Sequence, residues 1–172
     1  MRAPGLALLC LAAATGAGAA DIPQPLEAIM ATDPGCNILT AEDRREGSTS
    51  APLGDGKTLH VVLCDRAAYN ATSRLFVESS GEFEPLYFAA FDEDLGWTGT
   101  ASLYGANYDP KTRVLTSFYA GRGVGDCGSA GRWRWSDGVF RMLEYRAWSD
   151  CDRGRAQKAW PVVYAAKPQR RR

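Results

Sequence analysis

Histidine is almost absent from this sequence: His60 stands alone, and no two cysteines lie two to four residues apart. A tetrahedral zinc site needs imidazoles or thiolates at such close spacing, so no metal site is expected. Gly-x-Ser-x-Gly is missing as well. His60 sits inside the strand-like run Thr58-Leu59-His60-Val61-Val62-Leu63-Cys64, where a lone histidine is more often packed than catalytic. Charge of one sign is not in excess, with 20 Lys and Arg against 20 Asp and Glu, so nucleic acid meets no attracting field. No apolar run approaches the ~20 residues of a membrane-spanning helix.

What is present at the start is a short leader. Met1-Arg2 precedes the apolar run Leu6 to Ala14, and small residues follow from Thr15 to Ala20. This is the pattern of a secretory signal peptide over residues 1–20, cleaved after Ala19 or Ala20. Cys10 is not preceded by the small residue a lipoprotein would need, and it leaves with the leader. Cys36, Cys64, Cys127 and Cys151 remain. An even number of cysteines in an exported chain reads as a disulfide framework, and four allow three pairings. The sequential pairing, Cys36 with Cys64 and Cys127 with Cys151, is expected because each bond then closes a local loop worth ~3 to 4 kcal/mol on the chain-entropy model.

Residues 21–57 are expected to hold one short helix, with Leu26, Ile29 and Met30 at helical spacing, and then a polar loop from Ala41 to Lys57 rich in Gly, Ser and Pro. Residues 58–166 read as a mainly β domain, an antiparallel sandwich or open barrel. Strands are expected near Thr58–Cys64, Arg74–Glu78, Pro85–Phe91, Gly99–Tyr108, Arg113–Ala120, Arg132–Trp135, Val139–Trp148 and Trp160–Ala165. The segment Asn107 to Thr112 and the pair Asp137-Gly138 carry the residues of tight hairpin turns. Residues 167–172 form a basic tail expected to fray.

Few residues invite a chemical reading. Gly123-Val124-Gly125-Asp126-Cys127-Gly128 has the spacing of a dinucleotide loop, but Arg132-Trp133-Arg134-Trp135 after it reads as a strand, where the motif needs a helix. A turn that places Cys127 is therefore expected, and no cofactor is implied. Asp92, Glu93 and Asp94 lack the further ligands and closing Glu of a calcium loop, and read as a charged turn. Trp133 and Trp135 alternate with arginines, so both indoles share one strand face, either as core or as an open stacking surface. The core reading is favoured.

Three stretches carry a family resemblance: Cys36-Asn37-Ile38-Leu39-Thr40, Val62 to Asn70, and above all Tyr108 to Phe118 running into Gly121 to Gly128. With Trp133-x-Trp135, Phe140, Glu144, Cys151 and Trp160-Pro161, the chain resembles the domain-of-unknown-function family 1176. The resemblance implies an exported proteobacterial protein of unassigned function, here in shortened form, and brings no catalytic residues. The Tyr108 to Phe118 hairpin is also similar to hairpins of small periplasmic β proteins that inhibit lysozymes.

The expected function is a non-enzymatic envelope binding module, inhibitor-like, with an envelope protein as partner. Asp92, Asp94, Asp126, Trp133 and Trp135 are its candidate binding residues. The competing classes are an envelope hydrolase built on Asp92, Asp94, Asp126 and Glu144, and a structural envelope component. Convergence of three or more of those carboxylates in one pocket would favour the enzyme.

Overall fold

The computed structural model describes residues 22–36 and 38–167. The leader expected over residues 1–20, and the tail beyond Lys167, lie outside the described residues.

Helix α1, Gln24–Thr32, starts directly after Pro23 and buries Leu26 and Met30, one turn apart on a single face. Helix α2, Ala41–Gly47, falls where a loop was expected. Thr40 caps it by accepting the Asp43 backbone N–H at 3.1 Å, while its hydroxyl donates to the Asp43 carboxylate at 2.6 Å. Acidic residues in the first turn and Arg44 and Arg45 in the last complement the helix dipole. The rest of that expected loop is strand β1, Thr49–Gly54. Its Pro52 is tolerated because β1 is an edge strand. Asp55-Gly56 turns it back into β2, both residues having positive φ (53° and 69°), as a two-residue hairpin loop requires.

β2, Lys57–Arg66, and β3, Ala71–Ser79, continue this first sheet. The outer edge of β3 is shared: β4, Glu82–Pro85, pairs with Phe76 to Ser79, and β7, Ser102–Tyr104, with Thr72 to Arg74. Between them the chain leaves the sheet as a separate hairpin, β5, Phe88–Asp92, and β6, Gly96–Thr100. The second sheet has the order β12-β11-β10-β9-β8. Its strands are β8, Asn107–Asp109, β9, Val114–Ala120, β10, Gly128–Ser136, β11, Val139–Trp148, and β12, Val162–Ala165. All pairings are antiparallel, as expected.

The expected strand Gly99–Tyr108 is thus divided among three elements. Gly105 breaks it in a left-handed conformation (φ 51°), at a point where a Cβ would lie 3.0 Å from the Phe118 carbonyl oxygen. The break lets β7 close the first sheet and β8 open the second. Pro85–Phe91 is likewise divided, because Pro85 ends β4 and β5 begins at Phe88. Trp160 follows a single 3-10 turn, Gln157–Ala159, so the last strand starts only at Val162.

The two sheets share one core, with Leu59, Val61, Leu75 and Val77 facing Leu115, Trp133, Trp135 and Tyr145. The opposite face of β2 carries a second apolar cluster: Val62 and Cys64, with Phe76, pack under Leu26 and Met30 of α1. Asp137-Gly138 forms the expected two-residue turn, with Ser136 paired to Val139. The disulfides are Cys36–Cys64 and Cys127–Cys151, the sequential pairing.

Candidate functional site

The β5–β6 hairpin stands against the inner face of the second sheet, where that face extends past the shared core. Trp97 holds it there, its ring meeting Tyr145 at 5.5 Å and Tyr164 at 6.3 Å in edge-to-face geometry. At the tip, the Glu93 carboxylate accepts from the Ser149 hydroxyl and from the Ser149 backbone N–H, latching the hairpin to the end of β11. Asp92 Oδ1 accepts the backbone N–H groups of Asp94 and Leu95, both at 2.9 Å, and so shapes the turn. Asp92, Glu93 and Asp94 are all exposed, and beside them Leu95 is 78% exposed.

Behind this hairpin run two adjoining cavities, of 220 and 310 Å³, which share Phe91, Asp92, Tyr119 and Ser129 in their walls. Tyr104 and Tyr145 line the first, Trp148 and Ser149 the second. Gly128 (φ 136°), in the wall of the second, must be glycine, since a Cβ there would fall 1.9 Å from the Tyr119 carbonyl oxygen.

The other acidic candidates lie elsewhere and are engaged. Asp126 is paired to the Arg122 guanidinium at 2.6 and 2.8 Å, which holds its carboxyl below the usual carboxylate range. Glu144 binds Arg146 at 2.8 and 3.2 Å and is lowered for the same reason. It lines a separate groove of 460 Å³ on the outer face of the second sheet, together with Arg132 and Lys158. Asp92 and Glu144 therefore serve different cavities, and two of the four proposed hydrolase carboxylates are held ionised by arginines, which suits neither to donate a proton. Among the described residues no group of three or more His, Cys, Asp or Glu side chains is placed to hold a metal ion.

The indole face is closed. Trp133 is 2% and Trp135 4% exposed, so these two candidate binding residues are core and cannot meet a partner. Gly131 is required beside them, since the Trp133 ring lies 2.0 Å from where its Cβ would be. The glycine phrase from Gly123 to Gly128 is a turn that leads into β10, not into a helix.

Sequence reading missed the surroundings of His60. Its Nδ1 lies 2.8 Å from Ser50 Oγ and its Nε2 2.8 Å from the Glu78 carboxylate, in a row across β1, β2 and β3. The imidazole is 4% exposed and leans on Phe83, and none of the three residues lines a cavity named above. Both ring nitrogens are satisfied, as a buried polar group requires. Tyr104 and Tyr119 were missed too, because they come from different sheets and only folding joins them.

Fold and site together define a disulfide-stapled antiparallel β domain with an acidic hairpin and a cleft behind it. Among the described residues no helix is long and apolar enough to cross a membrane. The chain belongs to the family described as protein of unknown function DUF1176, whose model matches residues 7–167. It is similar to the uncharacterized protein YpfG of Escherichia coli (strain K12), at 31% identity over 127 residues, which cover 72% of this chain and 36% of that protein. The chain thus matches little more than a third of this relative's length. No solved structure gives a significant match.

Proposed function

We propose that the chain is an exported domain of the periplasm or cell exterior that acts by binding an envelope protein, without catalysis of its own. The observation that carries this reading is the hairpin tip, where Asp94 and a bare Leu95 are held out on a turn fixed by the Asp92 and Glu93 carboxylates. A pinned tip loses little conformational entropy on docking. Its charge selects a partner with a basic rim, because complementary charge speeds encounter and sets register, while Leu95 fills an apolar pocket. Export is supported by the two disulfides, which persist in an oxidising compartment.

The test is capture from envelope extract by the mature domain, run beside Asp94→Asn and Leu95→Ser, with partners read by mass spectrometry. A partner retained by the parent domain and lost by both variants is expected. Equal retention by all three overturns the assignment to the tip. Basic lysozymes are a direct case, assayed for lytic activity with micromolar domain. Hydrolysis of glycan or peptide by the domain alone, lost in Asp92→Asn, would replace binding with catalysis.

A further inference from the structure

We infer that the cleft behind the β5–β6 hairpin is a saccharide-binding site, which shares Asp92 with the turn but includes neither Asp94 nor Leu95. Its wall joins two tyrosines from different sheets. Tyr104 of β7 and Tyr119 of β9 meet with ring centroids 4.7 Å apart and planes at 47°, and they remain 40% and 36% exposed. Phenol rings left half in water at a cavity mouth offer apolar faces on which the C–H face of a pyranose ring can stack.

The rest of the lining is complementary to hydroxyl groups. Ser102, Ser117 and Ser129 line the first cavity with hydroxyls, beside Thr98 and Thr100, whose own hydroxyls donate to the Ala90 and Ser102 carbonyls. Both turn bonds made by the Asp92 side chain fall on Oδ1, which leaves Oδ2 to accept from a ligand hydroxyl. A carboxylate beside an aromatic face and several hydroxyls matches a neutral polyol ring.

The same lining argues against other ligand classes. Neither cavity has a Lys or Arg in its wall, and both have Asp92, so a phosphate, nucleotide or sugar acid would meet only repulsion. A purely apolar ligand would bury the serine hydroxyls without giving them partners. With volumes of 220 and 310 Å³, the joined cavities reach the lower part of the range for small-ligand clefts, roughly 300 to 1,000 Å³. Their arrangement end to end along the hairpin suits consecutive rings of an oligosaccharide.

The test is calorimetric titration of the mature, oxidised domain with cellotetraose, chitotetraose and maltotetraose, which separate β from α linkage and plain from N-acetylated rings. Saturable binding of at least one, with a dissociation constant below about 1 mM, is expected. Tyr104→Ala and Tyr119→Ala should each weaken it about ten-fold or more. Ser129→Leu, which fills the cleft from the strand beside Tyr119 and keeps both tyrosines, should abolish it with the far-ultraviolet circular dichroism unchanged. Asp94→Asn at the tip should leave it as it is. Absence of saturable binding with all three sugars, or binding indifferent to both tyrosine variants and to Ser129→Leu, overturns the site. Protein capture through the tip is read separately by Asp94→Asn and Leu95→Ser, so either reading can fail while the other stands.

Discussion

Asn70 pairs through its side chain with the backbone of Ala120, fifty residues away: Nδ2 donates to the Ala120 carbonyl at 2.8 Å, and Oδ1 accepts the Ala120 N–H at 3.0 Å. Asn70 directly precedes β3 and Ala120 ends β9, so one amide joins the two sheets beside the cleft. Ala120 is buried, and water cannot replace both bonds. Asn70→Ala is expected to lower stability by about 1 to 3 kcal/mol, the cost of leaving buried backbone groups unsatisfied. Asn70→Asp keeps the acceptor but sets a carboxylate oxygen against the Ala120 carbonyl, and should cost at least as much. Urea denaturation of the oxidised domain checks both, and a change within experimental error for Asn70→Ala would contradict the pairing.

Trp133 lies in the shared core at 2% exposure, edge-on to Phe88 at 5.2 Å and to Tyr145 at 6.4 Å. Trp133→Ala should destabilise by roughly 3 to 5 kcal/mol, the range for a buried large aromatic. Gly131→Ala should also destabilise, because the added methyl must displace the same indole. Thermal unfolding followed by near-ultraviolet circular dichroism measures both, and a shift of the midpoint near zero for Trp133→Ala would sink the core assignment.

Glu144 is one source of pH dependence. Its folded-state pKa is depressed, first by hydrogen bonding from Arg146, against burial, which opposes the shift. A depressed carboxylate contributes stability that is present above its unfolded pKa of about 4.3 and is lost as pH falls through the lower folded value. Stability should therefore decline on acidification from about pH 5 downward. Glu144→Gln should make that decline shallower, as shown by denaturation midpoints measured across the interval. An unchanged slope in the variant would remove Glu144 as a contributor.

The Cys127–Cys151 bond ties the turn before β10 to the segment after β11, on the wall of the second cavity. Replacing both cysteines with Ala should lower stability by about 3 kcal/mol, as expected for a closed loop of this length. Thiol titration of the denatured, unreduced mature domain should find no reactive thiol, and two per chain would contradict the pairing.

Short-range chemistry was legible from residue types alone. The Asp137-Gly138 turn could be read because a two-residue hairpin loop needs positive φ at both positions, which Asp and Gly accept at low cost. The same signal at Asp55-Gly56 lay inside a stretch whose Gly, Ser and Pro content reads as loop, and the cap at Thr40 lay directly before it. Local composition masked an edge strand that exists only because β2 is there to pair with it. Gly105 shows the converse, since nothing nearby marks the point at which one apparent strand leaves one sheet for the other.

By itself the sequence determined the fold class, the set of four cysteines available for disulfides and the shared strand face of Trp133 and Trp135, because alternation along a strand and the count of cysteines survive whatever the chain packs against; which of three pairings forms, and that the indole face is core, were expectations that the tertiary structure decided. Which polar groups are free was decided only by tertiary structure. Asp126 and Glu144 look like Asp92 on paper, yet arginines occupy the first two, while Asp92 shapes a turn beside a cleft. Tyr104 and Tyr119 become one aromatic wall only when β7 and β9 meet from separate sheets, and contacts between distant segments are set by how whole faces pack rather than by any spacing along the chain.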